Sequence, residues 1–253
     1  MKIYLKSISF CLLLLSFISC SESNLETDSV VINPSTKIEG TGFIEFNEYT
    51  PLADKTIKLF FHVPKSTSKN TPIIFVFHGN GRNAKDYRDA VIKKANEFNF
   101  IVIAPEFSNT NFPTGDSYNL GNVFIDGDHP SPETLVSEEK WTFSTIEPIF
   151  DFAKEKLANT SEKYTIIGHS AGAQFALRFA MFKPAARFNK MVASASGWYS
   201  VTDFSVDFPY GFKESPLQEI DLSNFFSKEI YLQVGELDNN KNESGLRRNE
   251  FAD

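Results

Sequence analysis

Residues 164–182 read YTIIGHSAGAQFALRFAMF, and how this stretch folds decides the rest of the chain. Residues 164–167 read as a strand and residues 171–182 as a helix stopped by Pro184. Between them stands Gly168-His169-Ser170-Ala171-Gly172, a Gly-x-Ser-x-Gly that gains its meaning from the flanking strand and helix. Such an abrupt turn forces the serine into a strained conformation, and the glycines remove side chains that would collide there. Ser170 Oγ is thereby presented at a helix N-terminus, where orphan N–H groups and the helix dipole favour developing negative charge. Ser170 is the candidate nucleophile.

On both sides of this unit, strand-like and helix-like segments alternate from Gly42 onward, the signature of an α/β sheet. Residues 43–49 alternate apolar and polar, and residues 56–63 follow as a second strand. Residues 73–77 (IIFVF) form a continuous apolar run, expected of a strand buried on both faces. Residues 85–98 read as an amphipathic helix and 100–104 as another buried strand, closed by Pro105. Residues 106–137 are rich in Gly, Pro, Asn and Asp without clear periodicity, and a loop of that length inside a domain is usually functional. A helical stripe runs through residues 138–157, with Pro148 marking a kink or the start of its regular part. Residues 191–195 form a strand, 197–227 a second irregular insertion, and 230–234 the last strand.

A serine nucleophile needs backbone donors aimed at the tetrahedral oxyanion it creates. The N–H after the nucleophile supplies one, and the loop after the strand at 73–77, His78-Gly79-Asn80-Gly81-Arg82, supplies the other. These donors are assigned to Ala171 and Asn80, with Gly81 as an alternative to Asn80. His78 is read as a structural hydrogen-bonding residue. The last strand is followed by Gly235-Glu236-Leu237-Asp238, which places a carboxylate 68 residues after Ser170.

Together, residues 168–172, 78–81 and 235–238 resemble the α/β-hydrolase family. Within it the chain looks most like secreted esterases of the polyhydroxyalkanoate depolymerase and feruloyl-esterase-like branch. The resemblance spans about residues 56–238. It implies an α/β-hydrolase three-layer sandwich, a mostly parallel sheet with helices on both faces. It further implies ester hydrolysis through an acyl-enzyme without cofactor or metal, and an acid that orients a histidine. Asp238 is the candidate acid and Glu236 the second choice. The family order is serine, acid, histidine, yet no histidine follows Asp238. His169 occupies an x position of the turn that aims it away from Ser170 Oγ, and His62, in a strand before Pro64, reads as structural. His129, within residues 126–130 (DGDHP), belongs to an exposed loop. The chain stops 15 residues after Asp238, which reads as a hydrolase domain missing its C-terminal strand and helices, with the last strand left as an exposed apolar edge. Trp198 and Tyr199, after a strand end, are pocket candidates suited to sugar or aromatic acyl groups, with packed loop anchors as the plainer reading.

Composition narrows the function further. Asp and Glu outnumber Lys and Arg by 32 to 25, a formal charge of −7, so the cationic field that nucleic-acid binding needs is absent. Hydrophobic residues at 42% exclude a disordered chain, and 26 phenylalanines predict an aromatic core. Both cysteines, Cys11 and Cys20, fall in the first twenty residues, which excludes a disulfide framework, a thiolate zinc site and a catalytic cysteine from the rest. Asp126 and Asp128 lack the spacing of a calcium loop.

The N-terminus reads as an address. Lys2 and Lys6 precede an apolar run at residues 8–18, too short to span a bilayer but suited to a secretory signal. It ends in Phe17-Ile18-Ser19-Cys20, which resembles a bacterial lipobox although Phe17 stands where Leu is usual. The expected organisation is a lipoprotein signal peptide at 1–19, a flexible tether at 20–39 and a hydrolase domain at 40–253. The tether reaches on the order of 25 Å. The reading is thus an exported serine esterase, held through Cys20 at a bacterial membrane, periplasmic or at the cell surface, and acting on small or polymer-linked esters. Its competitors are a serine peptidase of the same fold and a tethered, non-catalytic binding protein, the latter suggested by the missing histidine. If Cys20 carries the lipid, the expressed protein partitions into detergent with the mass of a diacylated N-terminus, and Cys20→Ser moves it to the aqueous phase. Identical partitioning of the two would end the idea.

Overall fold

The computed structural model describes residues 38–238 together with Asn240 and Asn242. Cys20, the signal segment and nearly all of the tether lie outside the described residues. The elements are β1 (Gly40–Phe46), β2 (Ile57–Val63), β3 (Ile73–Phe77), α1 (Ala84–Phe98) and β4 (Ile101–Glu106), then α2 (Ile146–Lys156), β5 (Tyr164–His169), α3 (Ala171–Phe182) and β6 (Phe188–Ser194), and finally α4 (Ser223–Phe226) and β7 (Glu229–Gln233). They build one seven-stranded sheet in the order β1-β2-β4-β3-β5-β6-β7. β1, β2 and β4 pair antiparallel, and the strands from β4 through β3, β5 and β6 to β7 pair parallel.

The alternation of strand side chains divides the core into two unequal layers. Phe75 and Phe77 of β3, Ile101 and Ile103 of β4, and Tyr164 and Ile166 of β5 pack with α2 and α3 on one face. Val76, Val102, Ala104 and Phe60 meet α1 residues on the other. The larger layer is aromatic, as the phenylalanine count implies. Phe175 of α3 lies at its centre, its ring within 5.3 Å of the rings of Phe77, Phe107, Tyr118 and Phe143.

Three sequence expectations change. The stripe at 138–157 is not one helix: two 3₁₀ turns (Glu138–Lys140 and Thr142–Thr145) precede α2, with Trp141 extended at φ −67° and ψ 140°. The Thr142 N–H donates instead to Gly121 O at 2.7 Å, and the Trp141 indole donates to Val136 O, so the preceding loop outcompetes the helix. Pro148 is the third residue of α2, where a missing N–H costs no helical bond. β4 runs on through Pro105, because its pairing with β3 ends at Ile103 and only β2 lies alongside beyond that point. The loop at 106–137 is not mere surface. It sends Phe107, Phe112, Tyr118, Leu120, Val123 and Phe124 into the core.

β7 lies at the sheet edge, and among the described residues no strand pairs with its outer side. Its Tyr231 and Leu232 are each more than half exposed. No helix among the described residues is long and apolar enough to cross a membrane. Removing the ring at the core centre, Phe175→Ala, should lower stability by about 3–5 kcal/mol in urea unfolding. Phe98→Ala, at an exposed position, should change it by about 0.5 kcal/mol or less.

Candidate active site

Ser170 stands between the last residue of β5 and the first of α3 with φ 54° and ψ −123°, a strained combination for a side-chain-bearing residue. The strain is held from both sides. Ser170 N–H donates to Ser194 O of β6 at 2.9 Å, while its carbonyl accepts from the N–H groups of Ala173 and Gln174 in the first turn of α3. The two motif glycines permit the turn. A methyl group on Gly172 would lie 2.2 Å from Phe77 O and 2.7 Å from His78 O. One on Gly168 would lie 2.4 Å from Gly172 O.

The loop after β3 lies against the serine: a methyl group on Gly79 would be 3.6 Å from Ser170 Cβ and 2.7 Å from Tyr87 Oη. Asn80 is exposed at the tip of this loop, and Ala171 opens α3. Among the described residues neither N–H donates to another group of the chain, which leaves both available to an oxyanion. Arg82 holds the loop from behind. Its guanidinium donates to Phe107 O at 2.8 Å and Thr114 O at 3.2 Å and lies over the Tyr118 ring. Tyr118 Oη in turn donates to His78 O at 2.7 Å.

All four histidines are engaged elsewhere. His78 is fully buried: Phe107 N–H donates to its Nε2 at 3.0 Å, so Nδ1 carries the proton and donates to Gly79 O at 2.9 Å. Burial, reinforced by the Arg82 charge and opposed by the Gly79 bond, pushes His78 down to about 4, so the ring is neutral. His62 Nε2 pairs with Asn96 Oδ1, His129 Nδ1 with Asp126 Oδ2 on the exposed loop, and His169 Nδ1 with Tyr87 Oη. Among the described residues nothing hydrogen-bonds Ser170 Oγ. Asp238 is exposed in the turn after β7, its N–H donating to Gly235 O at 3.1 Å, and no hydrogen bond joins it to a histidine there. Glu236, the second choice of acid, is exposed in the same turn. Trp198 and Tyr199 follow β6, half-buried, with Trp198 stacked 4.0 Å from the Arg178 guanidinium. The site therefore unites Ser170, the loop at 79–82 and the Ala171 N–H, and does not unite them with a base. Among the described residues no group of three or more His, Cys, Asp or Glu gathers as a metal site.

The Esterase family model matches residues 51–249. The poly(aspartic acid) hydrolase-1 of Sphingomonas sp. KT-1 is 35% identical, superposes with a TM-score of 0.74, and is matched over 86% of this chain and 79% of its own. The chain belongs to the esterase family. A poly(3-hydroxybutyrate) depolymerase from Bordetella parapertussis is 26% identical with a TM-score of 0.75, over 85% of this chain and 71% of that one. The BES protein from Bacillus cereus shares the fold, at 19% identity and a TM-score of 0.50, over 82% and 80%. No curated protein matches. This esterase is thus an enzyme of the α/β-hydrolase type, and the reading as a non-catalytic binding protein falls away.

Arg82 and Tyr118, which hold the loop at 79–82, and Tyr87, which lies against Gly79, were not legible in the sequence. Their partners are remote along the chain, 25 and 32 residues away for Arg82, 40 for Tyr118 and 82 for Tyr87. The buried neutral His78 also ties stability to pH. An unfolded histidine titrates near 6.5, so between about pH 6.5 and 4 the unfolded state binds more protons and stability falls as pH falls, by on the order of 3 kcal/mol in full. His78→Gln should flatten that part of the stability–pH curve measured by urea unfolding at a series of pH values.

Proposed function

We propose that the chain is a serine carboxylesterase that cleaves small or polymer-linked esters through an acyl-enzyme. It works outside the cytoplasm, held to a membrane through a lipid on Cys20. The carrying observation is Ser170, at φ 54° immediately before α3, with the loop at 79–82 packed against it. Ser170 Oγ attacks the ester carbonyl, and the N–H groups of Asn80 and Ala171 take the oxyanion. The C–O bond to the alcohol breaks, the alcohol leaves with a proton, and water then releases the acid. Asp238 is assigned as the acid that orients a base. Two relatives named for polymer cleavage support a polymer-linked substrate. The lipobox-like residues 17–20 support the anchor.

None of the four histidines is placed as the base. Turnover of an activated ester is therefore expected at the level left when one triad member is missing, about 10³–10⁴-fold above water. With 4-nitrophenyl acetate the 253-residue chain should show this slow turnover, and Ser170→Ala, which keeps the backbone donors, should retain a residual rate of the same order. A fluorophosphonate probe should label the first and not the second. Equal labelling of the two would move the nucleophile elsewhere.

A further inference from the structure

Ser170, Gln174 and Arg178 recur every four residues and share one face of α3. Gln174 is the hub below the nucleophile. It accepts from Asn119 Nδ2 at 2.8 Å, donates to Ser196 O, and its carbonyl receives Arg178 Nη1 at 3.3 Å. In this region the described chain leaves donors and one acceptor unused. Arg178 is 1% exposed, yet among the described residues its Nε and Nη2 have no hydrogen-bond partner, and neither do the hydroxyls of Ser196 and Tyr199 or the Oδ1 of Asn119. No carboxylate among the described residues pairs with Arg178; the face of its guanidinium is covered by Trp198.

A buried guanidinium without a counter-charge is costly, and stacking on a ring leaves its in-plane N–H groups unsatisfied. Clusters of unsatisfied buried polar groups call for an explanation, and the chemistry of this one is specific. A planar cationic fork and two hydroxyls offer donors, against a single amide oxygen. Their complement is an acceptor-only, negatively charged, planar group. We propose that Arg178 is a subsite for a carboxylate carried by the substrate, with the hydroxyls of Ser196, on the segment that Gln174 binds, and of Tyr199, next to the Trp198 cover, as further donors. Eight residues of helix rise about 12 Å, and helical side chains lean towards the N-terminus, so the fork lies on the order of 7–10 Å from the carbonyl attacked by Ser170. That separation suits an ester whose acyl chain ends in a second carboxyl group, as in a dicarboxylic half-ester. Trp198 covers the fork and follows Gly197, at φ 78°, so occupation of the subsite requires this cover to swing aside.

The assignment rests on the reading of Ser170 as the nucleophile, so binding and turnover are measured apart. Calorimetric titration of the full chain compares monomethyl adipate with dimethyl adipate, which differ only in the free carboxylate. The expected result is at least tenfold tighter binding of the monomethyl ester. That margin should be lost in Arg178→Met, which removes a buried charge and keeps the bulk, and in Arg178→Lys, which keeps the charge and loses the fork. Equal binding of the two esters, a margin that survives in either folded variant, or equal displacement of monomethyl adipate by acetate or inorganic phosphate would overturn the subsite. If neither variant folds, the comparison on the unmutated chain decides alone. Turnover of the neutral 4-nitrophenyl butyrate is assayed alongside. Its absence with the margin intact counts against the nucleophile reading, and its presence without the margin counts against the subsite only.

Discussion

Everything at the site depends on one close approach of backbone to backbone. The first turn of α3 rests directly on the end of β3, so closely that Gly172 has no room for a side chain beside the carbonyls of Phe77 and His78. Ser170 belongs to the unit β5–α3, and the donor loop belongs to β3–α1. Their separation is therefore set by main chain against main chain, not by side chains that could choose another rotamer. Catalysis by preorganised donors asks for this kind of rigidity, since a donor that must reorganise loses much of its worth.

The surroundings reinforce the same point with buried polar groups. Tyr118 bonds His78 O, His78 bonds Phe107 and Gly79, and Arg82 ties the loop to Phe107 and Thr114. In a low-dielectric setting such bonds are strong when made and costly when broken. The phenylalanine-rich layer around Phe175 supplies that setting, and the rings of Phe107 and Tyr118 are shared between the core and the network. Core packing and positioning of the donor loop are one structure here. A mutation in the ring cluster should be felt at Gly79 as well as in stability.

Much of this was legible in the sequence, and the part that was not has a common cause. The bounds of α3 at Ala171 and Phe182 followed from the motif and from Pro184, because both signals are local. The strands at 73–77 and 164–167 declared themselves by continuous apolar runs or by the turn that follows, the second running on to His169. The segment at 138–145 misled because its side-chain periodicity is helical while a carbonyl 21 residues upstream captures its N–H. The loop at 106–137 shows no period, yet it is a wall of the core, since irregular backbone can bury rings without repeating them. Arg178 is the single charged residue of α3, a signal plainly visible in the sequence. Only the structure shows that it has no counter-charge among the described residues.

The acid assigned to the site hangs from the least supported strand. β7 is joined to the sheet along one side only among the described residues, with Tyr231 and Leu232 open to solvent, and the turn bearing Asp238 follows directly. Segments of this kind open on their own, at a fraction of the free energy that unfolds the core. Ser170 and the loop at 79–82 follow central strands, whereas the turn bearing Asp238 follows an edge strand. Among the described residues, the segment bearing Asp238 is the one expected to open while the sheet and its aromatic layer are still intact. A probe on Tyr231 of β7 then reports the fraying of an edge, and melting reports the fold.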